Sequence, residues 1–287
     1  GAPDYIFPHL MGNNYTLRQK MAYECQNGAR GLLVAVKAGK FLPENGTIPD
    51  GLVPICGVLL RDRARKSAPA ALRRLRGAGI QVIMVTGDSR ETAAAIAKEC
   101  GILSGECDTV IDSAELSRMS DNEVREILPR LGAVARALPS DKSRLVRIAQ
   151  SAGRVTGMTG DGINDAPALR AADVGFAMGC GSAVAKDAGD VVILSNDLDG
   201  IANAVLFGRN IFKSIKKFIC LQLTVNLSAV GISMAGPFIG IDRPVTVVQM
   251  LWINLIMDTL GGLAFAGEPA LPHYMREPPK RRDEPIL

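Results

Sequence analysis

The sequence predicts a doubly wound parallel α/β sheet joined to an α-helical transmembrane hairpin. Strand and helix signals alternate from Cys56 to about residue 194, which is the pattern of a sheet with helices on both faces. Two of the predicted strands end in the same tripeptide, Thr-Gly-Asp, beginning at Thr86 and at Thr159. Two apolar runs of roughly 20 residues fill the last third of the chain, and each is long enough to cross a bilayer.

The predicted elements follow one another in a regular order. Residues 1–56 contain a helix at 16–27 and a strand at 31–36. The following region contains predicted strands at 57–60, 80–85, 133–135, 154–158, 174–176 and 191–194. Predicted helices lie at 69–76, 91–99 and 141–150, with Gly101 as the C-cap of the second and Ser140 as the N-cap of the third.

The last third of the chain is predicted to form a stalk helix followed by a membrane hairpin. A helix at 201–217 leads directly into the apolar run 218–240, and a turn containing Asp242 precedes the second run, 245–267. Basic residues precede the first run and follow the second, so both outer ends are predicted to be cytoplasmic. A buried hairpin of a soluble protein is the alternative, which the length of the runs and their basic flanks disfavour. The flanking residues are Lys213, Lys216, Lys217, Lys280, Arg281 and Arg282.

Composition excludes two other classes of protein. The net charge is only +4, and the basic clusters flank apolar segments instead of forming a stripe interleaved with aromatic residues, so nucleic acid is not a predicted partner. The six cysteines show no Cys-x-x-Cys spacing and no nearby histidine, so neither a zinc site nor a disulfide framework is predicted.

The two Thr-Gly-Asp turns predict an anion site. They place short hydroxyls, unhindered amides and carboxylates at the carboxyl ends of strands, where parallel sheets bind ligands. The second turn continues as Gly-Ile-Asn-Asp-Ala-Pro from Gly162 to Pro167. Asp161 and Asp165 could hold Mg²⁺ between them as hard oxygen ligands.

The run Thr-Gly-Asp-Gly-Ile-Asn-Asp-Ala-Pro resembles the signature of P-type cation-transporting ATPases, which belong to the haloacid-dehalogenase-like superfamily. The resemblance implies that Thr86 and Gly87 contact a transferred phosphoryl group and that Asp88 belongs to the same loop. Lys142 resembles the lysine that neutralises phosphate charge. The family's Mg²⁺ ligand matches Asp161, with Asn164 and Asp165 beside it. Phosphoryl transfer depends mainly on positioning and charge stabilisation, which such residues supply.

Two upstream segments resemble nucleotide-binding parts of the same family. Gly-Ala-Pro-Asp at the start of the chain is similar to the tail of a Lys-Gly-Ala-Pro-Glu motif. The stretch from Leu60 to Arg65 resembles an Asp-Pro-Pro-Arg motif, which implies that Asp62 and Arg65 contact ATP. Arg63 and Ala64 replace both prolines, and an exposed basic hinge is the alternative interpretation.

The family's phosphorylated aspartate is missing from these residues. The motif Asp-Lys-Thr-Gly-Thr occurs nowhere, and the only Asp-Lys pair is Asp141-Lys142. Without that nucleophile no aspartyl-phosphate can form on this chain, so it is expected to be inactive alone and to be a fragment. By resemblance, an actuator domain and membrane helices 1–4 would precede it, and helices 7–10 could follow.

The second apolar run carries a carboxylate, Asp258, near its middle. An unpaired charge there costs several kcal/mol, so a functional role is the default interpretation. Asn254 precedes Asp258 by four residues and lies on the same helical face, and the two offer oxygen ligands suited to Ca²⁺. Gln222 and Asn226 show the same spacing in the first run, where interhelical hydrogen bonding explains them equally well.

These helices resemble the fifth and sixth membrane helices of plasma-membrane-type calcium pumps. Asn254 and Asp258 match calcium ligands of that family. Ala229 and Met257 stand where the sarco/endoplasmic reticulum pump has further ligands, which implies a single calcium site. Manganese is an alternative cargo, because the same oxygens serve both hard ions.

The sequence therefore predicts part of an ATP-driven, Mg²⁺-dependent calcium pump of a cell membrane, with ATP, Ca²⁺, lipid and the remaining pump segments as its partners. A calcium/manganese pump, a membrane-tethered phosphatase and a non-catalytic pseudo-pump subunit are the alternatives. The predicted parts are 1–56 (end of the nucleotide-binding domain), 57–200 (phosphorylation domain), 201–217 (stalk), 218–240 and 245–267 (helices five and six) and 268–287 (cytoplasmic tail).

Overall fold

The computed structural model describes residues 1–26, 29–39, 48–60, 64–104, 108–241, 244–280, 282, 284 and 286. They form two compact units. Unit 1 comprises Gly1–Arg73 and Gln81–Asp199, and unit 2 comprises Arg74–Ile80 and Gly200–Leu287. The domain boundaries given above remain predictions.

Unit 1 begins with two helices and an antiparallel strand pair. They are α1 (Pro3–Ile6), α2 (Tyr15–Gln26), β1 (Arg30–Val36) and β2 (Val53–Leu60), with a bulge in β1 between Val34 and Ala35. Met21 of α2 is buried against this pair, and a Cβ on Gly57 would lie 2.8 Å from its sulfur atom. The helix predicted at 16–27 is confirmed as α2, except that Asn27 lies outside the described residues.

A first parallel sheet holds the larger core of unit 1. Its strands pair in the order β3-β5-β4. The elements are α3 (Ala68–Gly77), β3 (Met84–Val85), α4 (Arg90–Glu99), β4 (Thr109–Asp112), α5 (Ser113–Arg118), α6 (Asp121–Ile127), β5 (Leu131–Ala135) and α7 (Pro139–Ser151).

Strand β5 is buried along its whole length because helices cover both of its faces. Leu131 and Val134 pack into a cluster with Leu116 and Ile148. Ala133 belongs to a separate cluster formed mainly by residues of α3 and α4, including Leu72. Helices on both faces of a parallel sheet are the doubly wound arrangement that the alternating pattern predicts.

A second parallel sheet has the strand order β6-β7-β8. Its elements are β6 (Gly157–Gly160), α8 (Ala166–Ala171), β7 (Val174–Met178), α9 (Ala183–Ala188) and β8 (Val191–Ile193). A glycine in β7 allows α8 to pack tightly against that strand, since a Cβ on Gly175 would lie 2.8 Å from the carbonyl oxygen of Leu169. Both sheets are parallel, so the α/β class is confirmed, although the strands hydrogen-bond in two groups of three.

Several local predictions need correction. The strand predicted at 80–85 contains only Met84 and Val85, which pair with β5 alone among the described strands. The prediction contained no element between Gly101 and residue 133, where β4, α5 and α6 lie, because each is too short to show a clear period. Ser140 is not the N-cap of α7. Leu138 holds that position, since Pro139 begins the helix.

Unit 2 contains the two candidate membrane segments. Helix α10 (Leu198–Ala235) is continuous over 38 residues and ends in a 3₁₀ turn at Gly236–Ile239. Helix α11 (Val247–Ile256) passes through a π-helical turn (Met257–Gly261) into α12 (Gly262–Ala266). Both segments are long and apolar enough to cross a membrane, and only 6% of each apolar window is buried, unlike a core helix of a soluble protein. The turn at Asp242 lies outside the described residues.

The chain after α12 is bound to the first half of α10. Arg209 donates through Nη1 to the carbonyls of Tyr274 at 2.7 Å and Glu277 at 2.8 Å. Its Nη2 donates to the carbonyl of Ala78 at 2.6 Å. Lys213 forms an ion pair with Glu277 and lies over the ring of Tyr274. One arginine thus joins three carbonyls from two segments of unit 2.

Candidate functional site

The first Thr-Gly-Asp turn connects β3 to α4. The amide of Thr86 donates to the carbonyl of Val134 at 2.9 Å, which extends the pairing with β5 by one residue. The Thr86 hydroxyl donates to the carboxylate of Asp88 at 2.8 Å, and the Asp88 amide donates to that hydroxyl at 3.2 Å. Ser89 then caps α4 by accepting from the amide of Thr92. Gly87 is exposed at the tip of the turn.

Residues just after β5 hold this turn in place. The amide of Arg136 donates to the carbonyl of Asp88 at 2.8 Å, and that of Ala137 donates to the carbonyl of Thr86 at 2.9 Å. Arg136 has a φ of +49°, which is rare for a residue with a side chain. The sequence interpretation missed Arg136. A charged residue directly after a strand of small residues, at the edge where parallel sheets bind ligands, was the available signal.

Lys142 lies in the first turn of α7, and buried polar contacts fix that turn. The carboxylate of Asp141 accepts from the amide of Leu138 at 2.9 Å and from the hydroxyl of Ser113 at 2.6 Å. Asp141 is only 7% exposed. The polar side chain is satisfied by these donors, as a buried carboxylate requires. The start of α7, and with it Lys142, is therefore held against α5.

The second Thr-Gly-Asp turn follows β6 and closes around Asp165. The amides of Asp161 and Gly162 both donate to Oδ2 of Asp165 at 3.3 Å. Lys142 donates to Oδ1 of Asp165 at 2.5 Å, and the two side chains are 19% and 10% exposed. A Cβ on Gly160 would lie 2.4 Å from the Cβ of Asp165, so only glycine fits this turn.

The structure therefore joins Lys142 to the second turn, as an ion pair with Asp165. No hydrogen bond or ion pair between described residues links the Thr86–Asp88 turn directly to the Asp161 turn. The connection between them runs through the chain that follows β5, from Arg136 to Lys142. Whether these residues form one phosphate site remains a prediction.

The donor set near Asp161 suits Mg²⁺. Both carboxylate oxygens of Asp165 already accept donors, whereas the carboxylate of Asp161 is exposed and has no hydrogen-bond partner among the described residues. Asn164 is also exposed, one turn further on. No group of three or more His, Cys, Asp or Glu residues suited to a metal occurs in the described part of the chain. A carboxylate and an amide oxygen with water in the remaining positions are the ligands that Mg²⁺ takes.

Of the two predicted nucleotide contacts, the structure describes only Arg65. Asp62 lies outside the described residues. Arg65 donates to the carbonyl of Asn196, a residue at φ +54° whose Oδ1 accepts from the amide of Cys180 at 2.7 Å. The guanidinium is thus held at the turn before α10, and its role toward a nucleotide stays a prediction.

One carboxylate beside the first turn has a shifted pKa. Glu91 lies in the first turn of α4, and hydrogen bonds from its own backbone and from Ser89 lower its pKa below the usual 4.5. The positive charges of Arg136 and Arg90 act in the same direction. These contacts therefore favour the ionised form of the carboxylate at the start of α4.

Asn254 and Asp258, in the second candidate membrane segment, lie on either side of the change from α-helix to π-helix. Asn254 is in the last part of α11, and its Oδ1 is buried without a hydrogen-bond partner among the residues that the structure describes. Asp258 lies in the π turn, and Thr259 donates its hydroxyl to the carbonyl of Leu255 at 2.8 Å. Single π turns inside α-helices occur frequently at functional sites. The geometry thus leaves an amide oxygen unsatisfied one helical turn from an acidic side chain.

Comparison with known proteins shows the family. A family model described as haloacid dehalogenase-like hydrolase matches residues 10–173, more than half of the chain. The chain belongs to the haloacid dehalogenase-like hydrolase family. A second model of that description matches residues 150–205, and a model of the C-terminus of cation transporting ATPases matches residues 242–287.

Curated relatives of this haloacid dehalogenase-like chain include calcium pumps. Calcium-transporting ATPase 8, plasma membrane-type, of Arabidopsis thaliana is 42% identical over 83% of this chain and 23% of its own length. Plasma membrane calcium-transporting ATPase 3 of Homo sapiens is 43% identical over 85% of this chain and 21% of its own length. The resemblance to plasma-membrane-type calcium pumps is confirmed. The chain spans less than a quarter of these two relatives.

A solved structure supports the same fold. The crystal structure of a zinc-transporting PIB-type ATPase in its E2.Pi state matches with a TM-score of 0.58 and 24% identity. The matched region covers 91% of this chain and 33% of the chain in that structure. At this identity the likeness concerns the fold of the haloacid dehalogenase-like chain and not its cargo.

Proposed function

We propose that this chain is part of an ATP-driven calcium pump of the P-type class, in which Asn254 and Asp258 bind the transported Ca²⁺. The proposal is carried by the buried Oδ1 of Asn254, which has no hydrogen-bond partner in the described part of the chain and lies one turn from Asp258 in an apolar helix. An unsatisfied buried oxygen costs free energy, and a cation with oxygen ligands would satisfy it. The identity of about 42% to named calcium pumps supports Ca²⁺ as the ion.

The haloacid dehalogenase-like part would transfer phosphate from ATP to an aspartate supplied by another segment of the pump. Thr86 and Gly87 would donate a hydroxyl and an amide to the phosphoryl oxygens, and Lys142 would neutralise part of their charge. Asp161, with Asn164 beside it, would hold Mg²⁺, which would supply charge neutralisation at the phosphate. Asp165 would keep the turn closed and orient Lys142, because its carboxylate binds both.

Helix α10 would couple the two activities. It runs without interruption for 38 residues, which corresponds to about 57 Å at 1.5 Å per residue. Four residues separate it from β8, and its apolar half contains Gln222 and Asn226. A rigid element of this length would transmit a displacement at its start to the membrane.

Orientation and partners follow from the same proposal. The basic residues at both outer ends of the hairpin support a cytoplasmic α/β part and an integral protein of the plasma membrane. Lipid, ATP and the remaining pump segments would be its partners. Among them would be the segment that carries the phosphorylated aspartate, since no Asp-Lys-Thr-Gly-Thr motif occurs in these 287 residues.

An Asp258→Asn variant of the intact pump tests the cargo site. Phosphorylation from ATP in the wild type should require Ca²⁺, and the variant should lose this stimulation. Phosphorylation from inorganic phosphate without Ca²⁺ should persist, which would show that the variant is folded. Asp187→Asn, an exposed position on α9, is the matched control and should retain the Ca²⁺ dependence.

Two outcomes would contradict the proposal. Calcium stimulation with an unchanged half-saturating concentration in Asp258→Asn would exclude Asp258 as a ligand. Stimulation by Mn²⁺ at lower concentrations than Ca²⁺ would instead support the calcium/manganese pump, whose oxygen ligands are the same type.

A further inference from the structure

The carboxylate of Asp161 has no side-chain partner among the described residues, so its position depends on its main chain. Its amide donates to Asp165 at 3.3 Å. Its carbonyl accepts from the amide of Ser182 at 2.8 Å. These two bonds hold the residue from both sides, one within its own turn and one from the loop after β7.

The loop Gly179–Ser182 lies unusually close to Asp161. A Cβ on Gly181 would stand 2.9 Å from the carbonyl oxygen of Asp161 and 3.0 Å from its Cα. Both atoms belong to the backbone, which cannot move aside as a flexible side chain can. The amide of Gly181 also donates to the carbonyl of Met178 at 2.9 Å, which fixes the loop to the end of β7. Only glycine at 181 allows this approach.

We propose that Gly181 and the amide of Ser182 are positioning groups for the Mg²⁺ ligand Asp161. This inference rests on the proposed function, because it takes Asp161 as that ligand. The loop after β7 fixes the position of the Asp161 backbone. It thereby orients a carboxylate that no described side chain restrains. Groups behind a metal ligand commonly change metal affinity by about 10- to 100-fold when they are lost.

Ser182 allows a selective test because its φ is −62°, which is the value that proline requires. Ser182→Pro removes the amide that donates to Asp161. Ser182→Ala keeps the amide and removes only the hydroxyl that caps α9 by accepting from Ala185 at 3.2 Å. The two variants therefore share the loss of the cap and differ in the bond to Asp161.

The measurement is Mn²⁺ binding to the intact pump by electron paramagnetic resonance, with Mn²⁺ in place of Mg²⁺. An Asp258→Asn background removes the proposed membrane site from the titration. Ser182→Pro should weaken Mn²⁺ binding about tenfold or more, and Ser182→Ala should stay within about twofold of the parent. Gly181→Ala should weaken binding similarly.

Gly189→Ala is the control for packing. A Cβ there would stand 3.0 Å from the Cβ of Ala177, so it strains the same sheet without touching Asp161. It should lower thermal stability and leave Mn²⁺ affinity unchanged. Equal weakening in Ser182→Pro and Ser182→Ala, unchanged affinity in Ser182→Pro, or no Mn²⁺ binding by the parent would each overturn the inference.

The two proposals fail separately. Loss of Mn²⁺ affinity in Ser182→Pro, if phosphorylation of the pump with Asp258 intact does not respond to Ca²⁺, would support the positioning role and contradict the cargo. Normal Ca²⁺ dependence together with unchanged Mn²⁺ affinity in Ser182→Pro would support the cargo and contradict the positioning role.

Discussion

Asp161 and Asp165 lie four residues apart and meet different surroundings. Asp165 is 7% exposed and accepts from Lys142 and from two amides, whereas Asp161 is exposed and has no side-chain partner in the described part of the chain. A carboxylate that is already satisfied holds a turn together, and one that is free can take a ligand. The sequence motif identifies both residues but does not separate these roles.

At this scale, Glu91 provides a test of the charge around the first turn. Its lowered pKa means that the folded state favours the ionised carboxylate. The resulting stability is present above pH 4.5, the usual pKa, and is lost as pH falls through the lower folded value. Glu91→Gln should lower the free energy of unfolding at pH 7 by about 0.3–0.5 kcal/mol, since the side chain is exposed and screened.

Chemical denaturation at pH 7 and pH 3 measures this effect. The difference between wild type and Glu91→Gln should shrink at the lower pH. Glu99→Gln, at the last turn of the same helix, should not destabilise, because negative charge is unfavourable at a helix C-terminus. A Glu91→Gln effect that is equal at both pH values would contradict the assignment.

At the scale of elements, the turn between α3 and β3 shows how a glycine fixes a junction in unit 2. Gly79 has a φ of +74°, and a Cβ there would lie 2.6 Å from Cδ of Pro279. The neighbouring Ala78 carbonyl accepts from Arg209 of α10. The turn is thus held by both α10 and the segment after α12.

Gly79→Ala should destabilise the protein by about 2 kcal/mol or more, because left-handed strain and a steric clash act together. Gly101→Ala is the matched control, with φ +76° and no heavy atom of the described residues within 4 Å of the added Cβ. It should therefore show only the strain of about 1 kcal/mol. Thermal unfolding followed by circular dichroism compares the two. The fluorescence of the single tryptophan, Trp252, reports on unit 2 for Gly79→Ala. Equal losses in both variants would show that Pro279 does not contact the turn.

On the scale of the whole molecule, the chain combines a haloacid dehalogenase-like unit with a helical hairpin of opposite solvent preference. Lys217 and Glu268 form an ion pair at 2.6 Å, at the two ends of the hairpin where its apolar runs meet charged residues. Charged residues at these positions mark the boundary of a membrane-spanning segment. The ion pair thus supports the proposal that both outer ends of the hairpin lie at the same surface of the membrane.

Cysteine labelling tests the proposed orientation. Cys180 is exposed in unit 1, and in a variant with Cys180 as its sole cysteine it should react with a membrane-impermeant maleimide only from the cytoplasmic side. Thr246→Cys in a cysteine-free background should react only from the opposite side, since Thr246 is exposed at the start of α11. Labelling of both positions from one side would refute the hairpin topology.

Much of this protein could be predicted from its sequence because the signals are local. Alternating strands and helices indicate a parallel sheet, and the repeated Thr-Gly-Asp indicates turns at strand ends. An apolar run of about 20 residues matches the thickness of a bilayer and so indicates a membrane span. Asn254 and Asp258 stand out because polar groups are costly there. These features depend on neighbours within a few residues.

Tertiary structure decided what depends on distant residues. It divided the parallel strands into two sheets, placed Leu138 and not Ser140 at the N-cap of α7, and paired Asp165 with Lys142 from 23 residues away. It also brought Ser182 and Gly181, which follow β7, against Asp161, which follows the neighbouring strand β6. No periodicity encodes such contacts, since they arise from the packing of β7 beside β6. The sequence by itself determined which groups are available, and packing decided which of them remain free to bind.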